Sequence, residues 1–304
     1  MCNEHTDRED EIWLASRAVS RRKFGALGAG AMALVALPGC MSTTADEAGP
    51  TTTAQTNERM VSIPTPDGTC DALFVYPAKG RHPAKDRHPA IVMWPDVAGL
   101  RDAYKTMARR LAATGYAVLA VNQYYRAGTA PFVATMTDWR TPEGQAKLAP
   151  GIATLSPANT RRDAAAVVAW LDRQASVDTR RKIGMAGYCQ TGSFTLRSAA
   201  ALPQRIGAAA SFHGGGLVTD KPDSPHLLFA SMSAASLIAI AQNDDARDPG
   251  AKTALRNAAD QAGRKAEIEV YPAQHGWCTL DSPVYDEVEA ERAWSRMLAL
   301  FAGL

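Results

Sequence analysis

The chain has 304 residues, of which 46% are hydrophobic and 21% charged, so it can bury a sizeable core and is not disordered in bulk. Its 33 basic and 31 acidic side chains give a net charge of +2 and are spread without a basic stripe or an RNP-like aromatic motif, which argues against a nucleic-acid partner. The exception is a short basic cluster near the start, Ser20-Arg21-Arg22-Lys23-Phe24, followed by an almost uncharged run from Gly25 to Gly39.

Paired arginines before a mildly apolar run resemble a twin-arginine export signal. The run is too short to cross a membrane as a mature helix. It ends in Leu37-Pro38-Gly39-Cys40, which resembles a lipobox, where the cysteine is lipidated before the signal is removed. Cleavage by an ordinary signal peptidase nearby and an uncleaved anchor are the plainer alternatives. The expectation is therefore an export signal over 1–40 that meets the export machinery. The protein would then be periplasmic, or held to the membrane by a lipid on Cys40 and facing away from the cytoplasm. Residues 41–57 are Thr- and Ala-rich with almost no large apolar side chain, and are predicted to be a disordered linker. Of five cysteines, Cys2 and Cys40 fall in the signal, leaving Cys70, Cys189 and Cys278 in the body, an odd number that leaves at least one without an intramolecular pair.

From Met60 onward, short Val-, Ile- and Ala-rich runs alternate with longer amphipathic stretches. The predicted strands are Leu73–Tyr76, Ala90–Met93, Ala117–Val121, Lys182–Ala186, Ile206–Phe212, Leu237–Ala241 and Glu267–Tyr271. The predicted helices are Ala103–Thr114, Arg161–Gln174, Ser193–Ala201, Ala251–Ala262 and Asp286–Phe301. Continuous apolar strands joined by helices imply an α/β domain over 58–304, with a mostly parallel sheet covered on both faces. The segment 127–159, with Pro131, Pro142, Pro150 and Pro157, is too irregular for one helix, and loops of that length usually form lids or site edges.

The strand Lys182–Ala186 runs into Gly187-Tyr188-Cys189-Gln190-Thr191-Gly192-Ser193 and then a helix. That is the setting of a nucleophile elbow, a strained strand-to-helix turn that needs a small residue two positions before the nucleophile. Gly187 meets the need, while Thr191 stands where a second small residue is usual. A helix N-terminus also favours a thiolate. A lone cysteine after a buried strand is more often an inert small hydrophobe. What raises Cys189 above that is chain order: Asn243-Asp244-Asp245 follows a later strand, and His275 follows the next. Nucleophile, acid and histidine in that order are the α/β-hydrolase order. His275 is placed to act as general base. His213, which also follows a strand, is the rival, and no pair of histidines has metal-site spacing. For the acid, distance from the strand favours Asp244, and distance from Pro249 favours Asp245; Asp244 is preferred.

The Gly-Tyr-Cys elbow, the Asn-Asp-Asp turn and Val270-Tyr271-Pro272-Ala273-Gln274-His275-Gly276-Trp277 resemble the dienelactone hydrolase family from about Asp67 to Leu304. The resemblance implies an α/β-hydrolase fold and a Cys, Asp, His triad carried onto Cys189, Asp244 and His275. It also implies an oxyanion hole of the Val97 and Gln190 N–H groups, an acidic residue near the resting thiol at Asp96, and a substrate-carboxylate arginine at Arg126. Asp96 replaces the family's more usual Glu, and Thr279 stands where a second carboxylate-binding arginine is expected. A hydroxyl does not replace a guanidinium's bidentate grip.

The expected activity is cleavage of a carboxylic ester or lactone through an acyl-enzyme, with a small-molecule substrate and no cofactor implied. Two other readings compete. One is an exported binding protein that keeps the fold without turnover, motivated by Asp96, Thr191 and Thr279. The other is a redox thiol at Cys189 with Cys278 as its resolving partner.

Overall fold

In the computed structural model, residues 8–15, 55–78 and 87–304 are described. The paired arginines, the apolar run, Cys40 and nearly all of the expected linker lie outside the described residues.

Eight strands form one sheet in the order β1-β2-β4-β3-β5-β6-β7-β8. The hairpin of β1 (Thr56–Thr65) and β2 (Gly68–Pro77) is antiparallel and sits at one edge. β1 was not among the predicted strands, and its start at Thr56 moves the end of the expected linker back by two residues. Its exposed residues are mostly polar, Met60 being the large apolar exception, with no continuous apolar run to mark it; the full ten-residue backbone register from Thr56 opposite Pro77 to Thr65 opposite Gly68 makes it a strand. Exposed charges such as Glu58 and Arg59 protect an edge of this kind.

The remaining strands are β3 (Ala90–Trp94), β4 (Ala117–Val121), β5 (Ile183–Tyr188), β6 (Ile206–Phe212), β7 (Ala235–Ala241) and β8 (Ala266–Tyr271). From β4 through β8 every pairing is parallel, and β2 joins β4 antiparallel. The α/β-hydrolase expectation of a mostly parallel sheet therefore holds.

Helices cover both faces because the buried strands are apolar on both. In β3, Ile91 and Met93 face one core with Tyr104 and Leu111 of α1 (Asp102–Ala113) and Phe301 of the C-terminal helix Glu287–Phe301. Val92 and Trp94 alternate to the other core, with Val167, Leu196 and Leu255 from helices of the opposite layer. Each such fully buried large side chain contributes about 1.5–3 kcal/mol relative to exposure.

The segment 127–159 holds two helices rather than one, α2 (Met136–Trp139) and α3 (Pro142–Ala153), parted at Arg140 and Thr141. Thr135 and Asp138 form a capping box on α2, while Thr141 accepts from the Gly144 N–H at 3.0 Å and Pro142 opens α3. α4 (Pro157–Leu171) begins four residues before the predicted Arg161, because Ser156 caps it at the Asn159 N–H and Pro157 suits the first helical position. Four more helices follow in the domain, α5 (Gly192–Ala201), α6 (Gln242–Arg247), α7 (Ala251–Gln261) and α8 (Glu287–Phe301), and residues 8–15 form a further short helix ahead of it.

Asp96, Cys189, Asp244 and His275 all follow the carboxyl ends of parallel strands, so the topology gathers them at one sheet edge.

Candidate active site

Cys189 has φ of +56°, the left-handed region that a non-glycine residue rarely adopts. A strained residue between β5 and α5 is what an elbow requires, since it thrusts the side chain out of the turn. The closeness of that turn explains the glycines. A Cβ on Gly187 would lie 2.3 Å from the Thr191 carbonyl oxygen, and one on Gly192 would lie 2.6 Å from the Gly214 Cα. Thr191 fits because its hydroxyl is used: it accepts from the Tyr188 N–H at 3.0 Å and lies 2.8 Å from the Trp94 carbonyl oxygen and 2.9 Å from that of Pro95.

His275 and Asp244 meet at this edge. The His275 Nδ1 lies 2.7 Å from Asp244 Oδ2. Asn243 accepts from the His275 N–H at 2.9 Å, so backbone and ring are both held from α6. Asp245 points elsewhere and pairs with Lys252 at 2.6 Å. Of the two candidate acids, Asp244 is the one on the imidazole. Burial works against a charged His275, but the negative charges of Cys189 and Asp244 and the hydrogen bond to Asp244 outweigh it, raising the imidazole to about 10. The arrangement can therefore hold a proton on His275 beside a thiolate.

His213, the rival base, has no contact with Asp244. Its ring packs edge-on against His275 at 4.7 Å, and its Nδ1 lies 3.6 Å from the Cys278 Sγ. Burial, reinforced by neighbouring His275, drives its proton affinity well down, so it is a neutral wall of the site. Burial likewise raises the Cys70 and Cys278 thiols far above the usual range. Cys70, Cys189 and Cys278 are not joined in disulfides.

Asp96 lies within electrostatic reach of Cys189, as the resemblance implies, but its carboxylate is also held from elsewhere. Its carboxylate grips Arg101 at 2.7 and 3.0 Å and accepts from the Ala98 N–H at 2.9 Å. Arg101, fully buried, reaches on to Asp281 at 2.7 Å through two nitrogens. Burial pushes the Asp96 carboxyl up, against the pull of Arg101. The short side chain is thus turned into an ion-pair cluster beneath the thiol. Arg126 differs too. Its Nε, Nη1 and Nη2 all donate to Asp67 or Asp163, at 2.6 to 3.1 Å, which staples the β1–β2 turn to α4. A guanidinium so occupied is not available as the carboxylate contact expected of it.

Val97 lies in the turn after β3. The Ala98 and Gly99 N–H groups both donate to Asp96, and that of Val97 is not drawn into the turn. Tyr124, which the sequence did not mark, donates to the Val97 carbonyl at 2.9 Å and accepts from the Gln190 side chain. It thus braces Val97 and Gln190, the two expected oxyanion donors, against each other. Val97, Ala98, Tyr124, Val133, Met136, Trp139 and Leu148 form one apolar cluster with Cys189. The irregular segment is indeed an edge of the site, and it makes the wall dry. Thr279 is buried, with its hydroxyl 3.3 Å from that of Tyr104.

Among the described residues, no group of three His, Cys, Asp or Glu side chains could hold a metal ion, and no helix is long and apolar enough to cross a membrane.

A strained cysteine at an elbow, on a mostly parallel eight-stranded sheet with an Asp–His pair at the same edge, defines an α/β-hydrolase. Comparison with known proteins narrows this: residues 76–304 match the dienelactone hydrolase family, and the chain belongs to it. It is a hydrolase of the carboxylic ester and lactone class. A Methylorubrum extorquens protein assigned as a carboxymethylenebutenolidase is 28% identical over 242 residues, 78% of each chain. One from Salmonella typhi, assigned likewise, is 28% identical over 216 residues, covering 70% of this chain and 76% of its own. The fold matches a crystal structure from Klebsiella pneumoniae assigned as a dienelactone hydrolase, with a TM-score of 0.70 at 24% identity, covering 82% of this chain and all of that one. It also matches an acylaminoacyl peptidase of Pyrococcus horikoshii, with a TM-score of 0.58 at 14% identity, over 82% of this chain and 42% of that one.

Proposed function

We propose that this protein cleaves a carboxylic ester or lactone through a covalent thioester on Cys189. The observation that carries the reading is the left-handed Cys189 facing an imidazole whose far nitrogen lies 2.7 Å from Asp244. The thiolate attacks the carbonyl carbon, and the oxygen's negative charge is taken by the Val97 and Gln190 N–H groups. His275 gives its proton to the leaving alkoxide, and the thioester remains. A water then enters and attacks the thioester as His275 takes its proton, and collapse of the second tetrahedral intermediate releases the acid and returns the thiolate beside the protonated imidazole. Asp244 holds the imidazole's orientation and stabilises its charged form. The names of the relatives make a lactone of the carboxymethylenebutenolide kind a reasonable first substrate to try.

The test is hydrolysis of short-chain p-nitrophenyl esters and a dienelactone, with intact-mass detection of the acylated protein. Cys189→Ala and His275→Ala should each lower kcat by roughly 10³ or more while the circular dichroism is unchanged. Turnover equal to the parent in Cys189→Ala would overturn the reading.

We also propose export. Ser20-Arg21-Arg22-Lys23-Phe24, the uncharged run to Gly39 and Cys40 support a twin-arginine leader with a lipid tether. Fractionation of cells expressing the full chain and its Arg21→Lys/Arg22→Lys variant tests it. Retention of the variant but not the parent in the cytoplasm is expected, and identical distribution would sink it. Palmitate labelling that disappears in Cys40→Ser tests the tether.

A further inference from the structure

Residues 8–15 form a short helix ahead of the paired arginines, and two of its carboxylates reach two separate elements next to the Cys189 site. On the triad side, Glu9 Oε2 accepts from the Asn243 amide at 2.9 Å, and Arg247 lies 3.8 Å from the same oxygen. Asn243 is the residue that holds the His275 backbone, and Arg247 pairs with Asp244 at 2.7 Å. On the wall side, Asp10 pairs with Arg140. Arg140 follows Trp139 directly, and Trp139 shares the apolar cluster with Cys189. Asp10 has no exposed surface at all.

An acidic side chain on a terminal helix belongs in water unless something specific takes it out. Here a guanidinium does, and the helix links the acid loop to the residue that ends the wall helix, both of them next to the Cys189 site. From this we propose that residues 8–15 are an internal cover of the Cys189 site, latched by Asp10 on Arg140 and Glu9 on Asn243. The cover keeps small molecules from the thiol until the segment is displaced. The proposal rests on the hydrolase reading only for what is kept out. A cut anywhere between residue 15 and the start of β1 at Thr56 separates the cover from the domain. Removal of the proposed leader at Cys40 would therefore activate the enzyme after export.

The experiment measures alkylation of Cys189 by iodoacetamide in the folded full chain, in which the thiolate displaces iodide, with the modified peptide quantified by mass spectrometry. The Glu9→Gln/Asp10→Asn variant should react about fivefold faster or more, the factor expected when a latch of this kind is lost. Arg140→Gln should accelerate similarly, and Glu11→Gln, on an exposed position of the same helix, should not. Rates within twofold of the parent in both latch variants would overturn the proposal. Thermal unfolding of the Glu9/Asp10 variant at the parent's temperature is required alongside, so that loosening of the domain is not read as its acceleration. Ester turnover measured on the same samples separates the two readings. Faster alkylation without any hydrolysis would sink the hydrolase and leave the cover standing, and hydrolysis with unchanged alkylation would do the reverse.

Discussion

The Thr191 hydroxyl oxygen lies 2.8 Å from the carbonyl oxygen of Trp94, at the end of the neighbouring strand. The same oxygen accepts from the Tyr188 N–H, so one side chain closes the elbow on itself and fastens it to the strand that leads to Val97. Where a glycine would merely leave room, threonine supplies a bond across the sheet. Thr191→Val preserves shape but leaves buried polar groups unpartnered, and should cost about 1–3 kcal/mol in urea unfolding. It should also lower kcat, because the nucleophile and the Val97 N–H lose their common anchor. Thr191→Ser should restore most of both. A stable, fully active valine variant would show that the bond positions nothing.

The two adjacent acids of α6 should separate cleanly. Asp244→Asn removes the charge that stabilises the imidazolium and should lower kcat by roughly 10³–10⁴. Asp245→Asn loses only a partly exposed pair with Lys252, worth about 0–1 kcal/mol, and should keep activity within a small factor. Steady-state rates on one ester substrate decide it, and equal losses would mean that the acid's role is shared.

How much of this was legible in the sequence follows from how far each feature depends on distant residues. The central strands β3 to β7 could be read because burial on both faces makes them largely apolar. Cys189, Asp244 and His275 could be read because each comes just after a strand, and parallel topology brings those ends together. β1 escaped because an edge strand is made by backbone pairing and carries polar residues. The pairing of Asp96 with Arg101 and of Arg101 with Asp281, 180 residues apart, left no local signal. Arg126 was correctly seen to follow a strand, but Asp67 and Asp163, which occupy it, come from elements whose approach only the fold defines. The helix 8–15 reads as an unremarkable charged leader until its contacts with Asn243 and Arg140 are seen.

The charge state of His275 gives a pH prediction with a definite sign. Its proton affinity is raised in the folded protein to about 10 from an ordinary value near 6.5, so the folded state binds the proton more tightly. The resulting stabilisation is complete below about 6.5, and it fades as pH rises toward 10. Thermal unfolding followed from pH 6 to 10 should show the parent losing stability across that interval, and His275→Gln losing less. Over the same range Cys189 should be the body cysteine that iodoacetamide modifies once the site is open, since burial holds Cys70 and Cys278 as thiols. A parent and variant with parallel profiles would rule out the thiolate–imidazolium pair as a source of stability.

The Asp96–Arg101–Asp281 cluster makes the opposite demand. Arg101 is fully buried between the two carboxylates, and Asp96 is buried with it. Asp96→Ala removes the buried partner and should destabilise by about 3–5 kcal/mol, because a desolvated charge is left with only the half-exposed Asp281. Asp281→Ala should cost less in stability yet disturb the site more directly. Asp281 Oδ2 also accepts from the Met136 N–H at 2.9 Å, and α2 carries Met136 and Trp139 into the wall around Cys189. Its expected signature is a raised KM. Arg101→Met tests the electrostatics: without the guanidinium, burial and the negative charges of Cys189 and Asp281 act on Asp96 unopposed and raise its carboxyl further. A carboxyl raised in the folded state carries no penalty while both states are protonated, and an increasing one as pH rises above the unfolded value near 3.9. Urea unfolding of this variant relative to the parent should therefore show a deficit that grows from pH 4 to pH 8. A deficit independent of pH would mean that the loss comes from packing of the arginine side chain rather than from the charge it neutralises.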